Sequence, residues 1–229
     1  EGLVAYYPFN GNADDESGNG LDGEVNGATL AADRHGKSNS AYSFDGNGDY
    51  IEVQDSPSLR PDHITISAWV YQKVQPGRDE VRSTILYKTK YVNADGEQFV
   101  FDLEGSLGPR FSIKRLSDGI RGYGWHRTNP SKPIISSQWY HLIATWDGRS
   151  LRLYVNGNSE NNNESVPGGP IDDVRGGNLQ IGRGWSNYAR YFNGQMDDIR
   201  IYNRALSAKE VKALYDLEKP DYSKNLDQG

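Results

Sequence analysis

A chain of 229 residues with 35% hydrophobic residues, 15 tyrosines, 5 tryptophans and 26 glycines has the composition of many short strands and turns over an aromatic-rich core, which argues against a helical bundle. The net charge of −6 argues against nucleic acid as a partner, because phosphate-backbone binding needs a basic face, while it leaves carboxylates available to a hard cation. The absence of cysteine excludes a disulfide framework, a thiolate metal site and a cysteine nucleophile.

In chain order, residues 3–9 predict a first strand that Pro8 confines to an edge or an end, since proline donates no ladder hydrogen bond. A polar loop follows at 10–23. In ITISAWVY (64–71), Ile64, Ile66, Ala68 and Val70 alternate with Thr65, Ser67, Trp69 and Tyr71, so one face is core and the other carries aromatics. Further strands are expected at 83–88, 98–103, 110–115, 140–146, 150–157, 178–183 and 194–202, most of them bounded by Asp-Gly, Asn-Gly or Gly-Gly turns. Asp147-Gly148 reads as a hairpin turn that turns Leu142, Ala144 and Trp146, with Leu151, Leu153 and Val155, toward one interior. One helix is expected at 208–217, with Ser207 and Glu210 as a capping box and Leu206 and Val211 as a hydrophobic staple. Residues 218–229 have few apolar side chains and read as a linker or tail of a domain spanning 1–217. No apolar run approaches the ~20 residues of a membrane span, and a start at Glu1 without a signal-like stretch reads as a mature or excised piece.

Two sets of side chains carry candidate chemistry. Asp15-x-Ser17-x-Asn19-Gly20 places oxygen-bearing side chains at every second position before a glycine, the logic of a calcium loop, although Asx-rich turns also arise for backbone reasons alone. Asp45-x-Asn47-x-Asp49 repeats the spacing. Asp197 and Asp198, adjacent in a strand, are expected on opposite faces with at least one partner, and Arg200 competes with a cation for Asp198. The second set is aromatic. Tyr71 lies on the non-core strand face, Tyr87, Lys88 and Tyr91 follow, the loop 121–126 offers Arg121, Tyr123, Trp125 and His126, and the loop 183–191 offers Arg183, Trp185, Tyr188 and Arg190. Flat aromatic faces beside arginines suit stacking on a sugar and pairing with an anionic group. The alternative is that the arginines pair with surface Asp and Glu.

Three segments, YYPFNGNADDESGNGLDG (6–23) with FDGNGDYIEV (44–53), WYHLIATWDGRSLRLYVNG (139–157) and FNGQMDDIRIYNRALSAKEVKALY (192–215), together resemble the laminin-G-like modules of the concanavalin A-like lectin/glucanase superfamily. The resemblance spans the chain and implies an all-β, two-sheet antiparallel jelly-roll sandwich with one short C-terminal helix. It implies a structural calcium ion pinning the N-terminal loop to the last strand, which maps onto Asp15, the Asp45-Gly46 turn and Asp197, with Asn10 and Asp198 as weaker candidates. It further implies a secreted, extracellular or surface-attached, possibly periplasmic, bacterial module that belongs to a larger protein and inserts in no membrane. The expected function is a non-catalytic carbohydrate-binding module recognising a polysaccharide, anionic in one version, through the aromatic and arginine loops on the concave face; an adhesion or protein-interaction module is the alternative. Catalysis is the minor reading. The E-x-D-x-E string of retaining glycanase relatives is missing, Asp102 and Glu104 share only a strand face, and His126 beside Arg121 and Tyr123 is the sole lyase-like grouping.

Overall fold

The computed structural model describes residues 1–73, 82–90, 97–115, 124–128, 133–160, 164–165, 170–171, 173–184 and 190–221. Strands pair antiparallel throughout and build two sheets. The first runs in the order β13 (Asn158–Ser159), β12 (Ser150–Val155), β11 (Trp139–Trp146), β6 (Ile64–Gln72), β16 (Asn193–Tyr202), β4 (Ala41–Asp45) and β3 (Thr29–Ala31), with β1 (Leu3–Tyr7) also on β16 and β14 (Glu164–Ser165) on β12. The second runs β10 (Gly124–Arg127), β9 (Gly108–Arg115), β8 (Glu97–Glu104), β7 (Arg82–Thr89), β15 (Leu179–Ile181), β5 (Tyr50–Val53) and β2 (Gly23–Asn26). This is the expected jelly-roll sandwich.

The period of two decides which side chains meet. Ile66, Ala68 and Val70 of β6, Leu142 and Ala144 of β11, and Leu151 and Leu153 of β12 enter one continuous core with Phe99, Phe101, Phe111 and Ile113 of the other sheet. Val155, expected inside, is only partly buried and packs on that core. Phe101 and Phe111 meet edge to face with ring centroids 5.9 Å apart, and each buried ring of this size contributes roughly 1.5–3 kcal/mol. The same alternation turns Val100 and Asp102 of β8, and Arg110 and Ser112 of β9, to the outer face.

Pro8 falls just beyond β1, as its missing donor requires. The segment expected as a loop at 121–126 is a strand in its described part, because β10 pairs with β9 and sets Trp125 opposite Lys114 and His126 opposite Ile113. In β16, Asp197 stands opposite Trp69 and Arg200 opposite Ser67, so the strand holds one extra residue, and Asp198 adopts φ +46°. That bulge cancels the expected opposition of the two carboxylates, and both reach the guanidinium of Arg34.

Helix α1 (Ala208–Glu218) packs on the outer face of the larger sheet, where Leu206 and Val211 join Ile143 and Tyr154 in a small second core. The capping box is complete, with Ser207 Oγ accepting from Glu210 N and Glu210 Oε2 accepting from Ser207 N at 2.8 Å. Glu218, expected at the start of the tail, is instead a buried helical residue. It accepts from Trp69 Nε1 at 2.9 Å and pairs with Arg200, while its carbonyl accepts from Arg34 Nε at 2.8 Å.

Candidate functional site: an arginine and aromatic groove

A groove of about 280 Å³ crosses the outer face of the smaller sheet. Tyr87 of β7, Trp125 of β10 and Arg190 line it together with Arg82, Arg110 and Arg127. Arg110 is set by alternation, since Phe111 and Ile113 are core residues, whereas a register irregularity in β7 puts both Ile85 and Leu86 in the core and Tyr87 in the groove. Arg190 is held there by its backbone: Thr84 N and Gly184 N both donate to its carbonyl, at 3.4 and 3.1 Å. Gly184 has to lack a side chain, because a Cβ there would lie 2.1 Å from Thr84 Oγ1. That buried hydroxyl lines the groove and has no hydrogen-bond partner among the described residues.

Ion pairs order the floor. Arg110 holds Asp102 through two hydrogen bonds of 3.2 and 3.0 Å and reaches Glu104 at 2.7 Å, while Arg82 takes the other Glu104 oxygen at 3.1 Å. Burial pushes the Asp102 carboxyl up, against the pull of Arg110. Burial and then the positive charges of Arg110 and Arg82 hold the guanidinium groups of Arg127 and Arg190 below their usual range. Asp102 and Glu104, the strand-face pair weighed for glycanase chemistry, are both engaged by arginines.

The other expected ligand residues lie elsewhere. Lys88 is fully buried and pairs with Asp55 at 2.7 Å while donating to the Gly177 carbonyl, so it is a structural cation. The Arg183 guanidinium lies 3.9 Å from the centroid of Tyr50. His126 stands opposite core residue Ile113, on the strand face away from Trp125. Tyr71 belongs to the other sheet, beside Trp139. Tyr91, Arg121, Tyr123, Trp185 and Tyr188 lie outside the described residues. Arg82, Arg110, Arg127 and Thr84 were missed, although the alternation Arg110-Phe111-Ser112-Ile113 shows which of these faces outward.

The residues mapped to calcium have protein partners of their own. Among the described residues no three acidic or histidine side chains are grouped to hold a metal. Asp15 Oδ1 accepts from Tyr6 N and Ser17 N, and Oδ2 from Ser17 Oγ and Leu21 N, all between 2.8 and 3.1 Å. These bonds hold its carboxyl below the usual range despite partial burial. Asp45 Oδ1 caps its own turn through Asn47 N at 2.6 Å, and Gly46, at φ +83°, packs against Asn193. Burial and Asp198 push the Asp197 carboxyl up to about 7, with Arg34 opposing. The DxSxNG segment forms Asx-type hydrogen bonds from Asp15 to Ser17, and Arg34 pairs with both Asp197 and Asp198. The link from the N-terminal loop to the last strand passes through Tyr6, whose backbone binds Asp15 and whose hydroxyl donates to Asp198 at 2.6 Å.

Known proteins share this architecture. Domain 4 of an extracellular GH43 arabinanase from Geobacillus stearothermophilus, solved with arabinotriose, matches with a TM-score of 0.69 and 22% identity over 93% of this chain and 98% of its own. The binding domain of Paraclostridial Mosquitocidal Protein 1 matches with a TM-score of 0.69 and 21% identity over 94% of this chain and 52% of its own. The botulinum neurotoxin serotype D ligand-binding domain, solved with N-acetylneuraminic acid, has a TM-score of 0.66 and 15% identity over 95% of this chain and 51% of its own. At these identities the likeness is one of fold. Pappalysin-1 of Mus musculus is 22% identical over 189 residues, which is 80% of this chain and 12% of that protein, and the Homo sapiens protein is 22% identical over 183 residues, 78% and 11%. The chain thus spans about an eighth of the length of these relatives. The Laminin_G_3 model, described as concanavalin A-like lectin/glucanases superfamily, matches residues 45–212, and the chain belongs to that family.

Proposed function

We propose that this chain is a non-catalytic carbohydrate-binding module, acting outside the cell, whose groove on the smaller sheet takes an anionic polysaccharide. The observation that carries the reading is the convergence of four guanidinium groups on one groove beside Trp125 and Tyr87. Arginine pairs bidentately with carboxylate or sulfate, and an aromatic face packs on the apolar side of a sugar ring. Two fold neighbours were solved with saccharides, one of them N-acetylneuraminic acid, which carries a carboxylate; these support the ligand class without fixing the sugar.

The test is affinity electrophoresis against alginate, pectate and sulfated galactan, with carboxyl-reduced pectate as control. The wild-type protein is expected to be retarded by an acidic polymer, less so as salt rises. Trp125→Ala and Arg127→Ala should each weaken binding about tenfold or more while leaving Tm unchanged. Silence across all acidic polymers, or retention untouched by both substitutions, overturns the reading. Loss of binding to a protein partner with unchanged glycan retention favours the adhesion alternative.

A further inference from the structure

The larger sheet carries a second cleft, of about 490 Å³, on its outer face beside the C-terminal helix. Tyr71 of β6 and Trp139 of β11 stand opposite one another in register and form one wall, with ring centroids 5.6 Å apart and planes inclined at 53°. Tyr215 of α1 completes it, stacked over buried Trp69 at 5.9 Å. The volume lies within the ~300–1,000 Å³ of small-molecule sites. Its chemistry is the opposite of the arginine groove, because none of its described lining side chains is charged. The lysines nearest Tyr215, Lys212 and Lys219, are both bound by Asp216.

The polar rim is prepared. Asn156, which lines the cleft, accepts from His141 N at 2.9 Å through Oδ1, which fixes the side chain and leaves its Nδ2 as a donor. Gln138 is exposed on the same rim. Ser137 adopts φ +64°, a left-handed conformation uncommon for a residue with a Cβ, and is locked by a hydrogen bond from its N–H to the Gln72 carbonyl at 2.8 Å. A strained residue held by its surroundings at the mouth of a cleft points to a site. Amides and hydroxyls beside inclined aromatic rings match the mixed faces of an uncharged sugar, with C–H on the rings and hydroxyls on the amides. Rings inclined at 53° present two differently tilted faces and no single flat platform for an extended chain.

We infer that this cleft is a second glycan site, specific for a single residue of a neutral saccharide and independent of the arginine groove. The experiment is titration calorimetry of the whole chain with arabinotriose, xylotriose and cellotriose at low and at 0.5 M salt. At least one is expected to bind at one site per chain with little salt dependence, to shift the tryptophan fluorescence, and to lose tenfold or more in affinity in Tyr71→Ala and Trp139→Ala. Trp125→Ala should bind it as the wild type does. Should either aromatic variant fail to fold, Gln138→Ala, an exposed change, is expected to lower the affinity severalfold. The inference is overturned if no neutral trisaccharide binds, if Trp125→Ala abolishes the binding, if the folded variants bind unchanged, or if sedimentation shows a dimer that Trp139→Ala dissociates. Loss of acidic-polymer retention in Trp125→Ala with neutral binding intact separates the two sites.

Discussion

His141 packs against the rings of both Trp69 and Tyr215, 4.8 and 6.0 Å away, with Nε2 2.7 Å from Ser67 Oγ. Burial, reinforced by Arg200 and Arg34, holds its imidazole down at about 3. An unfolded histidine titrates near ~6.5, so the unfolded chain takes up a proton that the native one refuses. This residue's contribution to stability is therefore complete above pH ~6.5 and is lost as the pH falls toward 3. Urea unfolding between pH 7 and 4 is expected to show a declining midpoint that is flatter in His141→Gln; equal slopes in the two proteins would contradict this account. The segment WYHLIATW was legible as scaffold because its apolar residues alternate. The buried neutral state of His141 was not, because it depends on Tyr215 of helix α1, 74 positions further along the chain.

At the scale of elements, local chemistry was legible and tertiary chemistry was not. Ser207 and Glu210 declare their cap within four residues, and the structure forms both reciprocal hydrogen bonds. Ser207→Ala is expected to cost about 1 kcal/mol, read as a lower urea midpoint with the m-value unchanged. Glu210, whose carboxyl is held down at about 2 by Arg204 and Ser207, adds a contribution present above pH ~4.3 and lost as the pH falls toward 2. Strand β10 was hidden for the opposite reason. Gly124–Arg127 is short, and its strand character comes from the edge of β9 rather than from its own residues. The bulge in β16 was hidden as well, since Asp-Asp in an alternating strand says nothing of an extra residue. Arg34 lies in a loop with no pattern of its own, and only the fold brings it to Asp197 and Asp198.

For the whole molecule, the sandwich followed from three long segments, whereas the candidate site was legible in part, through its aromatics and Arg190 and not through the strand arginines beside them. Tyr87, Trp125 and Arg190 meet in one groove, and Tyr71 lies on the opposite sheet. Asp15 takes four hydrogen bonds and Asp197 pairs with Arg34, so neither carboxylate lacks a protein partner. Tm is expected to be the same in EDTA and in millimolar calcium; a rise of several degrees with calcium would restore the metal that the sequence suggested. The pairing of β1 with β16 also governs how the module bears load. Leu3 lies opposite Tyr202 and Tyr7 opposite Ile199, so the start of the first strand meets the finish of the last. Tension applied through the two chain ends therefore pulls both strands from the same end of their ladder. It opens that ladder like a zipper, bond by bond, and does not slide it in shear. Beyond Tyr202, the grip of Arg34, Arg200 and Trp69 on Glu218 acts as the catch that has to give way before the pull reaches the first rung.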